Sequence, residues 1–234
     1  KYSCCGIQAL KRCFCMDLPS EACKIFWGTS EIADLEELDT KLAVELDKIL
    51  AGEEVRPNNV FHLAAESFVP TSFREPVRVS HNNIEGTINI FEATRRMDDD
   101  LESVQVACSS EQYGLVDPKE VPVTENLKKN PFRPRSIYGI TKVATEQIAW
   151  LYHNSYGVPS IITRGFNHEG PRRGIQFVTS VIHRQIVEIL QNKTNKLIIG
   201  NPNSIRDFTH VKDTVNAYIL ASEHQNYGEP YNVC

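Results

Sequence analysis

Short β-branched runs alternate with amphipathic helical stretches from residue 24 onward, and this alternation constrains the fold more than any other feature of the chain. The apolar runs predict strands over 24–27, 59–64, 103–108, 160–164, 196–199 and 231–233. The helical periodicity predicts helices over 32–50, 83–96, 140–156, 177–191 and 211–221. Strands that alternate with helices form βαβ units, so we expect one α/β domain over residues 1–234, a doubly wound parallel sheet with helices on both faces.

The predicted sheet lacks its usual glycine-rich turn. None of the 12 glycines forms a G-x-G-x-x-G or G-x-x-G-x-x-G set, the pattern that cradles a phosphate after the first strand of such a sheet. The chain begins with Lys1 instead of methionine, and it ends inside the last predicted strand. We therefore expect a Rossmann-like fold that is incomplete at both ends.

Composition excludes several classes of protein. Lys and Arg number 25 against 30 Asp and Glu, and a net charge of −5 argues against non-specific nucleic-acid binding. No apolar run approaches the roughly 18 residues that span a bilayer, so we expect no membrane segment. Five of the seven cysteines lie in the first 23 residues without a C-x-x-C pair or a neighbouring histidine. We interpret them as reduced cytoplasmic thiols and expect no metal, a zinc site being the alternative.

Tyr138 and Lys142 form a Y-x-x-x-K pair at the start of a predicted helix, so their side chains share one face. An ammonium close to a phenol stabilises the phenolate and lowers the tyrosine pKa, which would make Tyr138 a usable general base. The spacing alone is also compatible with a solvated pair on a helix surface.

A second cluster of polar residues follows the predicted strand 103–108, where a parallel sheet presents its functional side chains. Ser109, Ser110 and Glu111 supply two hydroxyls and one carboxylate at this strand end. A carboxylate near the Tyr138 phenol would provide a second base, although the same three residues could simply cap a helix.

Taken together, these motifs resemble the extended short-chain dehydrogenase/reductase family, and within it the nucleotide-sugar 4,6-dehydratases, most closely those that act on GDP-mannose. The resemblance covers residues 24–234 and follows motifs in family order: HLAAES (62–67), N-x-x-G-T-x-N-x-x-E-A (83–93), SSEQYG (109–114), PFRPRSIYGITK (131–142), RGFNHEGPRRG (164–174) and SIRDFTHVKD (204–213). The segment between Ser109 and Tyr138 is a few residues longer than the family pattern.

The resemblance implies an enzyme that uses NAD or NADP. It assigns catalysis to Ser109, Ser110, Glu111, Tyr138 and Lys142. It assigns cofactor contacts to Tyr138 and Lys142 and also to Glu31, Ile32, Leu63, Ala64, Ala65, Ser67, His168 and Arg173. At the position of Glu31 the family has Asp. Substrate contacts fall to Asn167, Arg184 and Arg206, within a partial substrate-binding region at about 164–210. As alternatives, His168 could be an ordinary loop histidine, and Arg184 and Arg206 could be surface charges.

The resemblance implies a nucleotide-diphosphate sugar as substrate and, as the reaction, the conversion of GDP-mannose to GDP-4-keto-6-deoxymannose. An epimerase or 4-keto-reductase would use the same tyrosine and lysine without a base for C5 of the sugar, so Glu111 discriminates between them. If the protein truly begins at Lys1, a binding module without cofactor chemistry is a further alternative.

The resemblance also implies assembly into a homodimer or homotetramer. The helices over 83–96 and 140–156 carry apolar residues on more than one side: Ile88, Ile90, Phe91, Ile148, Trp150 and Leu151. One face of each helix should cover the sheet, and the other could pair with a second copy of the chain.

Overall fold

The computed structural model describes residues 23–26, 58–97 and 101–234. Its strands are β1 (Cys23–Phe26), β2 (Asn59–His62), β3 (Ser103–Ser109), β4 (Ser160–Gly165), β5 (Asn167–Glu169), β6 (Phe208–His210) and β7 (Pro230–Val233). Within this part of the chain, five strands form a parallel sheet in the order β1-β2-β3-β4-β7. The three-residue strands β5 and β6 pair in parallel as a separate small sheet.

The helices are α1 (Val69–Arg74), α2 (Pro76–Ser80), α3 (Gly86–Thr94), α4 (Ile137–Tyr156), α5 (Val178–Leu190) and α6 (Val211–His224). One turn of π-helix, His81–Glu85, joins α2 to α3, so the predicted helix over 83–96 is the end of a longer helical segment. Two short 3₁₀ turns, Ser110–Gln112 and Pro118–Glu120, follow β3.

Helices cover both faces of the sheet. On one face, Val104 and Val106 of β3 form the hydrophobic core with Phe91 of α3 and Ala149 of α4. On the other face, α6 packs against β3 and β4. The predicted parallel α/β sheet with helices on both sides is therefore confirmed.

Helix α4 begins three residues before the predicted start because Ser136 caps it. The Ser136 hydroxyl accepts a hydrogen bond from the amide of Gly139 at 2.9 Å, which satisfies one of the free donors of the first turn. The helix ends as predicted at Gly157, whose φ of 73° lies in the left-handed region that glycine adopts most readily.

The predicted strand over 196–199 is wrong. This segment is exposed and runs as an irregular surface stretch. The side-chain amide of Gln185 on α5 accepts from the Ile198 amide at 2.7 Å and donates to the Ile198 carbonyl at 2.9 Å. Because a side chain satisfies the backbone groups that a neighbouring strand would otherwise pair, the β-branched run needs no sheet.

Some predictions lie outside the described residues. They concern the helix over 32–50, the cysteines at 4, 5, 13 and 15, and the adenine contacts assigned to Glu31 and Ile32. In the part of the chain that the structure describes, no helix has the length and apolarity needed to cross a membrane.

Phe91 allows a direct test of the core. Its side chain is fully buried, and its ring centroid lies 5.1 Å from that of Tyr152 on α4. We expect Phe91→Ala to lower the free energy of unfolding by about 3–5 kcal/mol, measured by urea denaturation, because it leaves a cavity between α3 and α4. Phe73→Ala is the matched control: Phe73 is 64% exposed, and its loss should change stability by less than about 0.5 kcal/mol. Equal losses for the two variants would contradict this description of the core.

Candidate active site

The end of β3 is followed by a tight turn that the side chains of Ser109 and Gln112 hold in place. Ser109 caps the 3₁₀ turn Ser110–Gln112, and its hydroxyl accepts from the amide of Glu111 at 3.2 Å. The Ser109 amide in turn donates to the side-chain oxygen of Gln112 at 3.0 Å. These reciprocal bonds form a capping box, so the capping alternative is correct for Ser109. In the described part of the chain, the Glu111 carboxylate takes no part in this cap.

Helix α4 begins directly against this turn. A Cβ on Gly139 would lie 2.8 Å from the carbonyl oxygen of Glu111, so a larger residue would push the helix and the turn apart. This close approach brings Tyr138, which is 8% exposed, into a side-chain hydrogen bond with Ser109. The structure therefore brings Ser109, Glu111 and Tyr138 together, as the sequence predicts.

The electrostatic environment of Tyr138 differs from the expectation. Burial raises the pKa of Tyr138 to about 12, although its hydrogen bond with Ser109 acts in the opposite direction. The charges of Glu111 and Cys108 also raise this pKa, while Arg173 lowers it. The predicted lowering of the Tyr138 pKa by Lys142 is therefore wrong for the protein by itself, because removal of the phenol from water outweighs the nearby positive charges.

Lys142 lies one helical turn beyond Tyr138, as the spacing predicts. Its Nζ is 5.9 Å from the centre of the Tyr138 ring and donates to the Ala107 carbonyl at 2.7 Å. Burial lowers the pKa of Lys142. Ala107 is its only hydrogen-bond acceptor among the described residues, which leaves N–H groups of the ammonium available to a ligand.

His168 and Arg173 lie near this cluster, on β5 and the loop that follows it. His168 Nδ1 lies 3.1 Å from the Phe166 carbonyl, and since a carbonyl only accepts, Nδ1 carries the proton and Nε2 is a free acceptor. Burial and the charge of Arg173 lower the pKa of His168. The Arg173 guanidinium stacks 3.8 Å from the centre of the Phe177 ring. Its buried Nε lies 3.6 Å from a carboxylate oxygen of Glu169 and makes no hydrogen bond in the described part of the chain.

The segment after β2 contains Leu63, Ala64, Ala65 and Ser67, and it is held in place by Asn83. The Asn83 side chain accepts from the amide of Glu66 at 2.8 Å and donates to the Glu66 carbonyl at 3.2 Å. It also donates to the Thr141 hydroxyl at 2.9 Å, which connects the segment to α4. Asn83 had no site role in the sequence analysis, although its place in the N-x-x-G-T motif could have signalled one.

His62 at the end of β2 is a second residue without a predicted role. The Thr87 hydroxyl donates to the Asn83 carbonyl at 2.6 Å, so His62 Nε2 must donate its proton to Thr87 across 3.0 Å. Burial and the nearby charge of Lys142 lower the pKa of His62 to about 3. This buried imidazole is therefore neutral at neutral pH.

The three predicted substrate-binding residues make no hydrogen bond or ion pair with Tyr138 or with one another in the described part of the chain. The Asn167 side chain donates to the Asp207 carbonyl at 2.9 Å and so joins β5 to the segment before β6. Arg184 faces outward on α5, where its Nε lies 3.9 Å from a carboxylate oxygen of Glu188. Arg206 is exposed and donates to the carbonyl of Ile205. No contact in the described part of the chain joins Arg184 or Arg206 to Tyr138.

Similar solved structures share this architecture. The structure of RMD from Pseudomonas aeruginosa complexed with NADPH matches with a TM-score of 0.75 and 27% identity, over 90% of this chain and 77% of that one. A UDP-N-acetylglucosamine 4-epimerase from Methanobrevibacter ruminantium, in complex with UDP-N-acetylmuramic acid, matches with a TM-score of 0.70 and 28% identity, over 90% and 68%.

Sequence comparison gives a narrower result. GDP-6-deoxy-D-mannose reductase of Pseudomonas aeruginosa is 32% identical over 76% of this chain and 58% of its own length. GDP-mannose 4,6-dehydratase of Vibrio cholerae is 39% identical over 73% and 44%, so the matched region is about half of each relative. The family model described as GDP-mannose 4,6 dehydratase matches residues 29–234. This chain therefore belongs to the GDP-mannose 4,6 dehydratase family.

Proposed function

We propose that this chain carries the active site of a nucleotide-sugar 4,6-dehydratase that converts GDP-mannose to GDP-4-keto-6-deoxymannose with NAD or NADP. The family match and the dehydratase relatives support this activity. The observation that carries the proposal is the position of the Glu111 carboxylate on the turn beside Tyr138. A 4,6-dehydratase needs two bases that act on different carbons of one sugar, and this arrangement supplies both.

The residues present fit a dinucleotide cofactor. The buried Arg173 Nε, which makes no hydrogen bond and lies 3.6 Å from the Glu169 carboxylate, and the spare N–H groups of Lys142 are donors that phosphate, ribose or carboxamide oxygens would satisfy. His168 Nε2 offers a complementary acceptor. Together with the segment of Leu63, Ala64, Ala65 and Ser67, these groups would hold the cofactor; Glu31 and Ile32 remain predicted adenine contacts.

Tyr138 is the base for the first step. A bound oxidised nicotinamide would accept hydride from the sugar and later return it, and its positive charge would lower the pKa of the phenol. Tyr138 takes the proton of the C4 hydroxyl while Ser109, already hydrogen-bonded to the phenol, orients the C4 oxygen. With the cofactor bound, Lys142, whose Nζ lies 5.9 Å from the centre of the Tyr138 ring, would add its charge to the stabilisation of the phenolate.

Glu111 is the base for the elimination. Once C4 is a ketone, the C5 proton is acidic, and the Glu111 carboxylate removes it as water leaves from C6. Ser110, the first residue of the same turn, can assist at the C6 hydroxyl. We assign substrate binding to Asn167, Arg184 and Arg206 in the region of about 164–210, where arginine side chains suit a diphosphate.

A reductase is the second candidate, favoured by the 32% identity to GDP-6-deoxy-D-mannose reductase. A reductase delivers hydride to C4 and needs Tyr138 and Lys142, but it needs no base for C5. Glu111 therefore distinguishes the two activities.

The proposal includes a cytoplasmic enzyme that assembles as a homodimer or homotetramer. Of the apolar residues singled out for pairing, Ile90 and Phe91 belong to the core and Ile148 packs against it, whereas Trp150 and Leu151 stay exposed. Ile140 on α4 and Val77 on α2 are also exposed. Because α2 and α4 are in contact, their exposed apolar residues offer a surface for a second copy.

The assembly can be tested by sedimentation velocity of the full-length protein. We expect a dimer or larger species at micromolar concentration, and we expect Leu151→Glu to shift it toward monomer by placing a charge on that surface. Val121→Glu, at an exposed position outside α2 and α4, is the control and should leave assembly unchanged. A wild-type protein that sediments only as a monomer would contradict the dimer.

Tyr138→Phe tests the redox step. The substitution keeps the ring and its packing but removes the proton acceptor, so kcat should fall at least about 10²-fold in the full-length enzyme. Circular dichroism and the melting temperature check that the fold is retained. Wild-type turnover by Tyr138→Phe would contradict the assignment of Tyr138.

Glu111→Gln tests the elimination and separates the dehydratase from the reductase. The amide keeps the size of the carboxylate but cannot accept the C5 proton, whereas the first half-reaction needs only Tyr138, Lys142, Ser109 and the cofactor. Mixed with GDP-mannose and oxidised cofactor, the variant should accumulate reduced nicotinamide absorbance and at least about 10²-fold less 4-keto-6-deoxy product.

Two outcomes would count against this scheme. Full product formation by Glu111→Gln would remove Glu111 from the role of C5 base. Failure of the wild-type enzyme to dehydrate GDP-mannose, combined with NAD(P)H-dependent reduction of a 4-keto-6-deoxy sugar nucleotide, would favour the reductase.

A further inference from the structure

The side chain of Gln112 connects the turn after β3 to helix α4. Its Oε1 accepts from the Ser109 amide at 3.0 Å, and its Nε2 donates to Glu146 Oε2 at 2.7 Å. Gln112 is completely buried. A neutral amide is the side chain that can satisfy a donor on one side and an anionic acceptor on the other at the same time.

The acceptor on α4 is held rigidly. Glu146 receives two hydrogen bonds from Arg164 of β4, at 2.6 and 2.8 Å, and the two side chains are 5% and 1% exposed. Glu146 lies four residues beyond Lys142 and eight beyond Tyr138, on the same face of the helix. A displacement of the turn relative to Glu146 is therefore also a displacement relative to the phenol of Tyr138.

We propose that Gln112 is a positioning residue that sets the separation between the Ser109–Glu111 turn and Tyr138. The inference rests on the proposed function for the statement that the two positioned groups are the two bases. The close approach at Gly139 limits how near the turn can come to α4, and Gln112 limits how far away it can move. Together, the contacts at Gly139 and Gln112 hold Glu111 and Tyr138 in one position relative to each other.

Replacement of the Gln112 side-chain amide would remove the hydrogen bonds that hold the turn against α4. Gln112→Met has similar length and volume but leaves the buried Ser109 amide without its acceptor. It also removes one of the two donors to Glu146 Oε2, which keeps its hydrogen bond from Arg164 Nε. The Ser109 hydroxyl would then move from Tyr138, and its hydrogen bond is one of the interactions that lower the pKa of this phenol. Cys108, Arg173, Lys142 and Tyr218 also surround the phenol, and they lie outside the turn. Glu111 moves with the turn, and withdrawal of its charge lowers the pKa of the phenol, but Glu111 acts on this pKa less strongly than the Ser109 hydrogen bond does.

The first experiment measures kcat and the pH dependence of kcat/KM in the full-length enzyme with GDP-mannose. We expect Gln112→Met to lower kcat about 10- to 100-fold, as misplaced catalytic groups do. Tyr138 acts as a base when deprotonated, so activity rises as pH increases through its pKa. Loss of the Ser109 hydrogen bond raises that pKa, and the midpoint should move upward by roughly half to one pH unit.

Tyr113→Phe is the matched control. The Tyr113 hydroxyl accepts a hydrogen bond from Arg164 at 2.7 Å and donates one to Asn232 at 2.8 Å. It therefore belongs to the same buried network of Arg164 and Glu146 but makes no hydrogen bond to the Ser109–Glu111 turn. Both variants should lower the melting temperature, but the control should keep the wild-type pH midpoint. The same shift in Tyr113→Phe would show a general structural effect and overturn the inference.

Hydrogen exchange gives a readout that does not depend on the reaction. Peptides covering residues 108–113 should exchange faster in Gln112→Met than in the wild-type protein, because the Ser109 amide loses its acceptor, while peptides from α4 stay protected. If the wild-type enzyme fails to act on GDP-mannose, the proposed function fails and this exchange pattern still decides the role of Gln112. Unchanged exchange around the turn would overturn it.

Gln112→Asn serves as a second variant in case Gln112→Met does not fold. It keeps a neutral amide but is one methylene too short to reach the Ser109 amide and Glu146 at the same time, so it should also raise the pH midpoint. Wild-type kcat and an unshifted pH midpoint in both variants would contradict a positioning role for Gln112.

Discussion

The buried ion pair between Arg164 and Glu146 joins the parts of the protein that carry the candidate site. Arg164 lies on the interior strand β4 and Glu146 on helix α4, and two hydrogen bonds of 2.6 and 2.8 Å connect them. Removal of both charges from water costs several kcal/mol per ion, so such a pair is tolerated only when its remaining hydrogen-bonding groups are satisfied. Here Arg164 also donates to the Tyr113 hydroxyl and to the Glu125 carbonyl, while Gln112 donates to Glu146. The pair thus fixes the helix, the strand and the turn relative to one another, and it constrains geometry more than it adds stability.

The sequence predicts the parts of the site that depend on local spacing. Tyr138 and Lys142 share a helix face because of a four-residue interval, and Ser109 and Glu111 follow a strand whose apolar pattern is clear. Sequence does not predict the pairing of Gln112 with Glu146 or of Glu146 with Arg164, because these partners are separated by 34 and 18 residues and meet only once the sheet and helix have packed. The same reason explains the error at 196–199, where a glutamine from α5 replaces a neighbouring strand. The pKa of Tyr138 was also mispredicted, since spacing shows the nearby charge of Lys142 but not the burial that opposes it.

Asn83 makes a similar connection between helix α4 and the segment after β2, which holds the predicted cofactor contacts. Its amide pairs with both backbone groups of Glu66 and with the Thr141 hydroxyl, so it holds the segment after β2 against the same helix that carries Tyr138. The network continues through Thr87 to the neutral imidazole of His62. Because the pKa of His62 is lowered to about 3, the imidazole carries no charge at neutral pH and adds no second cation near Lys142.

Two bases that act on neighbouring carbons of one sugar impose a stricter requirement than a single base. A reductase needs no carboxylate from the turn after β3, because its chemistry at C4 requires only the phenol and lysine of one rigid helix and the Ser109 hydroxyl. A dehydratase requires a carboxylate from a different element at a fixed distance from that phenol, and the distance must hold while the sugar changes from alcohol to ketone to unsaturated ketone. The structure meets this requirement with short contacts on either side of the turn, at Gly139 and at Gln112, both made to residues of α4 or to the ion pair behind it. On physical grounds, the polar network behind the site is therefore as characteristic of the proposed elimination as Glu111 itself.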